Sequence, residues 1–440
     1  MPGGLIQLVA YGAQNVFLNG NPTISFFKKV YKTHTNFSTE SMKVIFNKNY
    51  LNFGQSTHLI SKIARNADLI QEIYFSFTVP DVKKIKTTHH GGEVFKFVKN
   101  LGEVMIDNYK IYIGGTLIDT QYGEWLHIWN ELSVESSKKY GYDKLVGNIP
   151  ELYMPDNYNR LKNGDIQVHK RRLYVPLKFW FNKNPGLALP LIALQYHEIE
   201  VHLEIRPYKE LFTINDNAPG RSDWQKYFDS DKLNIDPYLE VNYVFLDSTE
   251  RNFFAVNSQD YLIEQVVRIK FDRVKDFDMN TLSLQNPVKE IIWVFSRDDN
   301  YRKNKWFEYT DYAYNETITC NNVTCTNQIE KEILKSATFM FNGIERFEEK
   351  DSSYFNLVQP YQHHTVVPSP GIYVYSFSLF PEQFQPSGTC NMSRINKIEI
   401  KTSVIPPPSD ATYNYSMDVY IVNYNFLRVT GGLGGLAYSC

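Results

Sequence analysis

The stretch His197-Glu-Ile-Glu-Val-His202 is the first place where residue types in this chain could do chemistry, since two histidines flanking a glutamate resemble a zinc-hydrolase helix. That chemistry needs the histidines one helical turn apart. Here they are five positions apart in a segment whose apolar residues alternate, and on a strand positions 197 and 202 face opposite sides. His89-His90 and His363-His364 are adjacent pairs, not the His-x-His of a cupin metal site, and read as loop histidines. Gly432-Leu-Gly-Gly-Leu-Ala437 has the letters of a dinucleotide fingerprint. Only three residues follow it, so no helix can turn its N-terminus toward a pyrophosphate, and a close-packed tail is expected. Neither a nucleophile elbow nor a Walker sequence occurs. No catalytic, cofactor-binding or metal-binding residue is assigned, and the chain does not read as an enzyme.

Modification chemistry is sparser still. Cys320, Cys325, Cys390 and Cys440 are too few and too scattered for a disulfide framework, which fits a reducing compartment and leaves the state of Cys320 and Cys325 open. Asn36, Asn315, Asn322, Asn391 and Asn414 lie in N-x-S/T sequons. A protein made in the cytosol would not meet the secretory transferase, so unmodified asparagines are the first expectation. Of the five, Asn315, Asn322 and Asn414 are the candidates for glycan attachment, because Asn36 and Asn391 adjoin apolar, strand-like segments.

The elements that would position any site are strands. The chain has 440 residues with 31 Tyr and 29 Phe but only 21% charged residues, a balance that favours pleated, half-buried surfaces. A single core stops growing at roughly 250–300 residues, so two domains are expected. Net charge is −2 with both signs interspersed, which gives no one-signed field for nucleic acid. No targeting segment and no apolar run of membrane-spanning length is seen.

Short apolar runs alternate with turns throughout. Leu69–Val79, Asn108–Ile113 before Gly114-Gly115, Tyr238–Leu246, Glu290–Phe295, Ala337–Phe341 before Asn342-Gly343, and Val419–Leu427 all read as strands. Trp125, Ile128, Trp129 and Leu132 recur at three and four, which predicts a short helix between Gln121 and Leu145. One unit appears twice: Tyr174–Phe181 with Ile199–Ile205 is echoed by Tyr373–Phe380 with Ile398–Thr402, 199 positions on. Ile113-Gly-Gly115 and Phe341-Asn-Gly343 form a second echo at 228 positions. A β-domain used twice accounts for both, with the difference lying in loops. The expected division is an apolar N-terminal arm over 1–37, a first domain over 38–215, a linker over 216–237 and a second domain over 238–440. Long connections near 81–104, 130–170, 206–237 and 297–330 are the expected functional surface, with Trp224 and Trp306 as contact anchors or local packing.

Several long motifs carry a resemblance. Gly3–Gln14, Gly20–Lys28, Pro185–Glu198, Gln385–Arg394 and Gly434–Tyr438 resemble the major capsid proteins of nucleocytoplasmic large DNA viruses, most of all the algal-virus members, over residues 3 to 438. The resemblance implies an all-β fold of two tandem eight-stranded jelly-roll sandwiches with long loops and a few short helices. It implies a structural protein of the virion, made in the host cytoplasm. Its homotrimers would form pseudo-hexagonal capsomers tiling an icosahedral shell, touching neighbouring capsomers and minor capsid and penton proteins. The inner face would lie close to an internal membrane, with no direct contact to nucleic acid and no cofactor. A two-domain β-sandwich carbohydrate-binding protein is the alternative, suggested by the aromatic content and long loops.

Overall fold

The computed structural model describes residues 3–83, 95–154, 166–214, 227–228, 230–274, 276–312, 316–320, 323–327, 330–407, 409 and 411–438. Residues Met1–Phe37 form one unit and Ser38–Cys440 another. In the first unit, helix α1 (Gly3–Val9) and a turn of helix at Val16–Asn19 bury no residue.

In the second unit, eight strands build the first sandwich: β1 (Phe37–Ile45), β2 (Thr57–Ile63), β3 (Leu69–Val79), β4 (Ile106–Ile113), β5 (Thr116–Tyr122), β6 (Arg171–Pro176), β7 (Ile199–Ile205) and β8 (Tyr238–Leu246). Their order is β1-β8-β3-β6 in one sheet and β2-β7-β4-β5 in the other. The second sandwich repeats this with β9 (Gln259–Val274), β10 (Phe277–Thr281), β11 (Pro287–Arg297), β12 (Leu334–Phe341), β13 (Ile344–Glu345), β14 (Ile372–Ser376), β15 (Ile398–Val404) and β16 (Tyr415–Thr430). Its sheets run β9-β16-β11-β14 and β10-β15-β12-β13. Every strand of the second copy thus stands where the strand eight earlier stands in the first. Two facing four-stranded sheets in this order are the jelly roll, here present twice.

The local reasons are visible in the residues. β7 buries Ile199, Val201, Leu203 and Ile205 in strict alternation, which is the pleat of a strand with one face on the core. Both members of the echo at 228 positions are two-residue hairpin turns. Ile113 pairs with Thr116 across Gly114 (φ 57°) and Gly115 (φ 78°), and Phe341 pairs with Ile344 across Asn342 (φ 52°) and Gly343 (φ 82°). Turns with two left-handed residues match strand twist, and Gly and Asn accept that conformation most readily. The expected helix is present as α2 (Gly123–Ser133), followed by α3 (Ser136–Val146).

Two expectations are corrected. Tyr238–Leu246, expected to open the second domain, closes the first: it pairs with β3 from Tyr238↔Ser76 to Val244↔Leu69. Alternation identifies a strand but not its partner, and the last jelly-roll strand returns between the first and the third. The echo is also out of phase on one strand. Ile199 and Ile398 both begin strands with their side chains buried, but Tyr174 lies half-buried on the outer face of β6, whereas Tyr373 is fully buried in the second core. A one-residue slip moves a side chain to the other face, so the match of letters there is not a match of positions.

Candidate functional site at the seam between the sandwiches

Along α2 the apolar residues fall at the spacing of one helical face, and that face is covered. Trp125, Ile128, Trp129 and Leu132 pack with Val266, Ile292, Val294, Ile372, Val374, Tyr420 and Val422 of the second sandwich in one apolar cluster. The helix of one sandwich therefore lies on the outer face of the other's sheet. β11 accordingly buries both faces: Ile291, Trp293 and Phe295 enter the second core, while Ile292 and Val294 enter the seam. The opposite side of α2 is tied to its own sandwich by Glu103, whose fully buried carboxylate accepts from Asn130 Nδ2 at 3.1 Å and lies 3.3 Å from His127 Nδ1.

Charges line the seam in three places, in two of them across it. Arg268 of β9 donates Nε to Asp418 at 2.8 Å and brings Nη2 within 3.3 Å of Glu124, whose Oε2 also accepts from Tyr420 Oη at 2.6 Å. Glu264 sits between Lys183 of the first sandwich, 2.7 Å away, and Lys289, whose side chain is 1% exposed. Burial would raise the Glu264 pKa, but the two ammonium groups outweigh it and hold it down at about 2. His364 places Nε2 3.1 Å from Glu290 and Nδ1 3.0 Å from Glu382, with its ring 6.2 Å from Trp129 edge-on. Burial would lower its pKa, but the two carboxylates raise it to about 9. His364, expected as a loop histidine, instead has its side chain buried between two carboxylates.

The glycine-rich C-terminal segment forms a fourth tie. Leu433–Leu436 pairs with β16, and a Cβ on Gly434 would fall 2.7 Å from Leu194 Cδ2 and 3.3 Å from Ile113 Cγ2 of the first sandwich. His197 Nδ1 lies 3.1 Å from both the amide nitrogen and the carbonyl oxygen of Gly434. His202 instead stands on β7 beside Glu200, at 2.9 Å, so the structure does not bring the two histidines together. Among the described residues no cluster suits a metal ion.

Of the glycan candidates, Asn315 and Asn322 lie outside the described residues, as do Trp224 and His89-His90. Asn414 is exposed and donates Nδ2 to Asp298 at 3.3 Å, while Ser416 of its sequon is buried. Trp306, from the second half of the chain, donates Nε1 to the Glu210 carbonyl of the first at 2.9 Å under the Arg206 guanidinium, a contact within the chain. The seam itself was missed in the sequence. Its signal is the apolar runs Ile291–Phe295 and Val419–Val422, which lack alternation because both faces of those strands are covered.

The unit Met1–Phe37 presents a different surface. Leu8 and Val9 are each 77% exposed and Phe17 is 92% exposed. Lys28, Lys29 and Lys32 are its charged residues, and the first acid of the chain is Glu40.

Known proteins align with this architecture from end to end. A family described as "Major capsid protein N-terminus" matches residues 25–247, and one described as "Large eukaryotic DNA virus major capsid protein" matches residues 250–435. The major capsid protein of Pyramimonas orientalis virus is 38% identical and that of Phaeocystis pouchetii virus 36% identical, each with the full length of both chains covered. Among solved structures, the quasi-atomic PBCV-1 virus capsid contains a chain that superposes with a TM-score of 0.75 at 29% identity, covering 94% of this chain and 100% of that one. The Faustovirus major capsid protein, at 14% identity and a TM-score of 0.73, covers 96% of this chain and 94% of its own and shows the fold alone.

Proposed function

Because the chain belongs to the major capsid protein family of large eukaryotic DNA viruses, we propose that three copies assemble into a pseudo-hexagonal capsomer of six sandwiches, and that such capsomers tile an icosahedral shell. The observation that carries this reading is the seam. It is directional, a helix of one sandwich on the sheet of the next, and a directional contact repeated between similar units closes a ring when its rotation divides a full turn. Three chains supply six units with one such contact inside each chain. The boundary between units falls after Leu246, between β8 and β9.

On this reading the protein has no catalytic role. Its partners are neighbouring capsomers and the minor capsid and penton proteins, its inner face lies close to an internal membrane, and it is made in the host cytoplasm. The exposed apolar residues of the unit Met1–Phe37 support a docking role for that unit, since exposed groups of that kind mark interaction sites. Asn414 is the proposed glycan position among the described residues; attachment has to precede folding, because Ser416 is buried afterwards. The alternative of a carbohydrate-binding protein finds no support in the full-length likeness to capsid proteins. Sedimentation of the purified chain tests the central reading. A discrete trimer is expected, and a stable monomer at micromolar concentration overturns it.

A further inference from the structure

The helix that covers the seam has an uncovered counterpart. In the first sandwich, Trp125, Ile128, Trp129 and Leu132 of α2 follow the Gly114-Gly115 turn and are buried at 0%, 0%, 5% and 0% exposure. In the second, a helical segment over Tyr354–Val358 and Gln359–His363 follows the Asn342-Gly343 turn. Tyr354, Leu357, Val358 and Tyr361 there repeat the same spacing in sequence, with Tyr354–Val358 wound as a π-helix and Gln359–His363 as an α-helix. Three of these four face solvent: Leu357 is 50%, Val358 40% and Tyr361 82% exposed.

The sheet face has an uncovered counterpart too. On the second sandwich, Ile292, Val294, Val374 and Tyr420 point outward from β11, β14 and β16 and are covered by α2. On the first, the outward residues of β3, β6 and β8 include Glu72, Tyr74, Tyr174 and Asn242, all half-buried, beside Ser76 and Tyr238, which are buried. Asn242 donates Nδ2 to Glu72 at 3.1 Å and Tyr74 donates to the same oxygen at 3.1 Å, so the face is aromatic with a knit polar network. Tyrosine-rich faces of this kind suit contacts between folded partners. At its edge a cavity of about 330 Å3 is bounded by Tyr74, Pro176, Trp129, Lys178 and Asn182. Asn182 Oδ1 there is buried without a hydrogen-bond partner. The Lys178 ammonium makes no hydrogen bond or ion pair among the described residues, and burial depresses its pKa to about 8. The Asn182 oxygen is what an incomplete interface leaves unsatisfied.

We propose that the stripe Leu357, Val358 and Tyr361 of one copy docks on the Tyr74/Tyr174 face of a second copy, reproducing between chains the helix-on-sheet contact that α2 makes within one. The occupant is a second copy because the chain already contains the same contact once, with the same topology on both sides. This rests on the trimer reading and assigns its residues. The face on the first sandwich is more polar than its counterpart, so the contact between chains is the one that opens first, leaving the seam within each chain intact.

The test uses the full chain and two variants, Leu357→Arg on the stripe and Tyr174→Arg on the face, examined by light scattering, with far-ultraviolet circular dichroism and melting to verify folding. Each variant alone is expected to be a folded monomer. Mixed in equal amounts, they are expected to form a one-to-one dimer and no larger species, because one intact stripe meets one intact face. Trimers in both variants overturn the proposal while the trimer reading stands; a monomeric parent chain overturns that reading itself. Should either variant melt early, crosslinking mass spectrometry of the parent trimer decides. Links between residues near Tyr361 and Lys178 of different copies support the contact, and their absence alongside other inter-copy links refutes it.

Discussion

His364 Nε2 stands 3.1 Å from Glu290 Oε2, with both side chains fully buried, on the sheet face that receives Trp129 from the other sandwich. A buried charge pair of the second sandwich beside the seam makes stability depend on pH. The folded-state pKa of His364 is raised from 6.5 to about 9, so its contribution is complete below pH 6.5 and is lost as pH rises through about 9. The shift corresponds to about 3 kcal/mol. Melting temperature is expected to fall between pH 7 and pH 10. In His364→Gln the stability at pH 7 is expected to be lower and this alkaline fall largely absent; an unchanged alkaline fall in that variant would sink the assignment.

Glu264 titrates with the opposite sign. Its pKa is lowered to about 2 by Lys183 and Lys289, so its contribution is present above pH 4.5 and is lost as pH falls through about 2. Glu264→Gln leaves Lys289 buried without a counter-charge and is expected to cost about 3 kcal/mol in denaturant unfolding. The pair Glu264→Leu with Lys289→Met is expected to recover most of that loss, since a buried ion pair exchanged for apolar groups is close to neutral.

Three glycines separate two kinds of constraint. A Cβ on Gly434 meets Leu194 Cδ2 at 2.7 Å, Gly343 has open space but φ of 82°, and Gly435 has open space and no positive φ. Gly434→Ala is expected to cost about 1–3 kcal/mol through crowding, Gly343→Ala about 1 kcal/mol through backbone strain, and Gly435→Ala close to nothing. Chemical denaturation of the three variants checks the order.

Trp125 is fully buried in the seam, with its ring 5.6 Å from that of Tyr420. Trp125→Ala is expected to cost about 3–5 kcal/mol. Because the loss falls between the sandwiches and not within either core, calorimetry is expected to resolve two transitions where the parent chain gives one. A single transition lowered in temperature would mean that the two sandwiches do not unfold separately.

Much of the fold was legible because much of it is local. The left-handed turns at Gly114-Gly115 and Asn342-Gly343 are written in the residues that occupy them, and α2 is written in the spacing of Trp125, Ile128, Trp129 and Leu132. The repeat was legible for β7 and β15, where alternation is strict. It misled at Tyr174 and Tyr373, where identical letters sit on opposite faces. The family was legible in the long motifs because they run in order through nearly the whole chain.

The sequence by itself determined the turns and the existence of α2, since each depends on residues a few positions apart, and the echo at 199 positions determined that a β-domain is used twice. Only the tertiary structure decided that Tyr238–Leu246 returns to β3, that His364 lies between Glu290 and Glu382, and that α2 covers the second sheet while Leu357, Val358 and Tyr361 of its counterpart stay exposed. Those facts depend on pairings between residues distant along the chain. Period and propensity report which face of an element is apolar; they do not report what that face will meet.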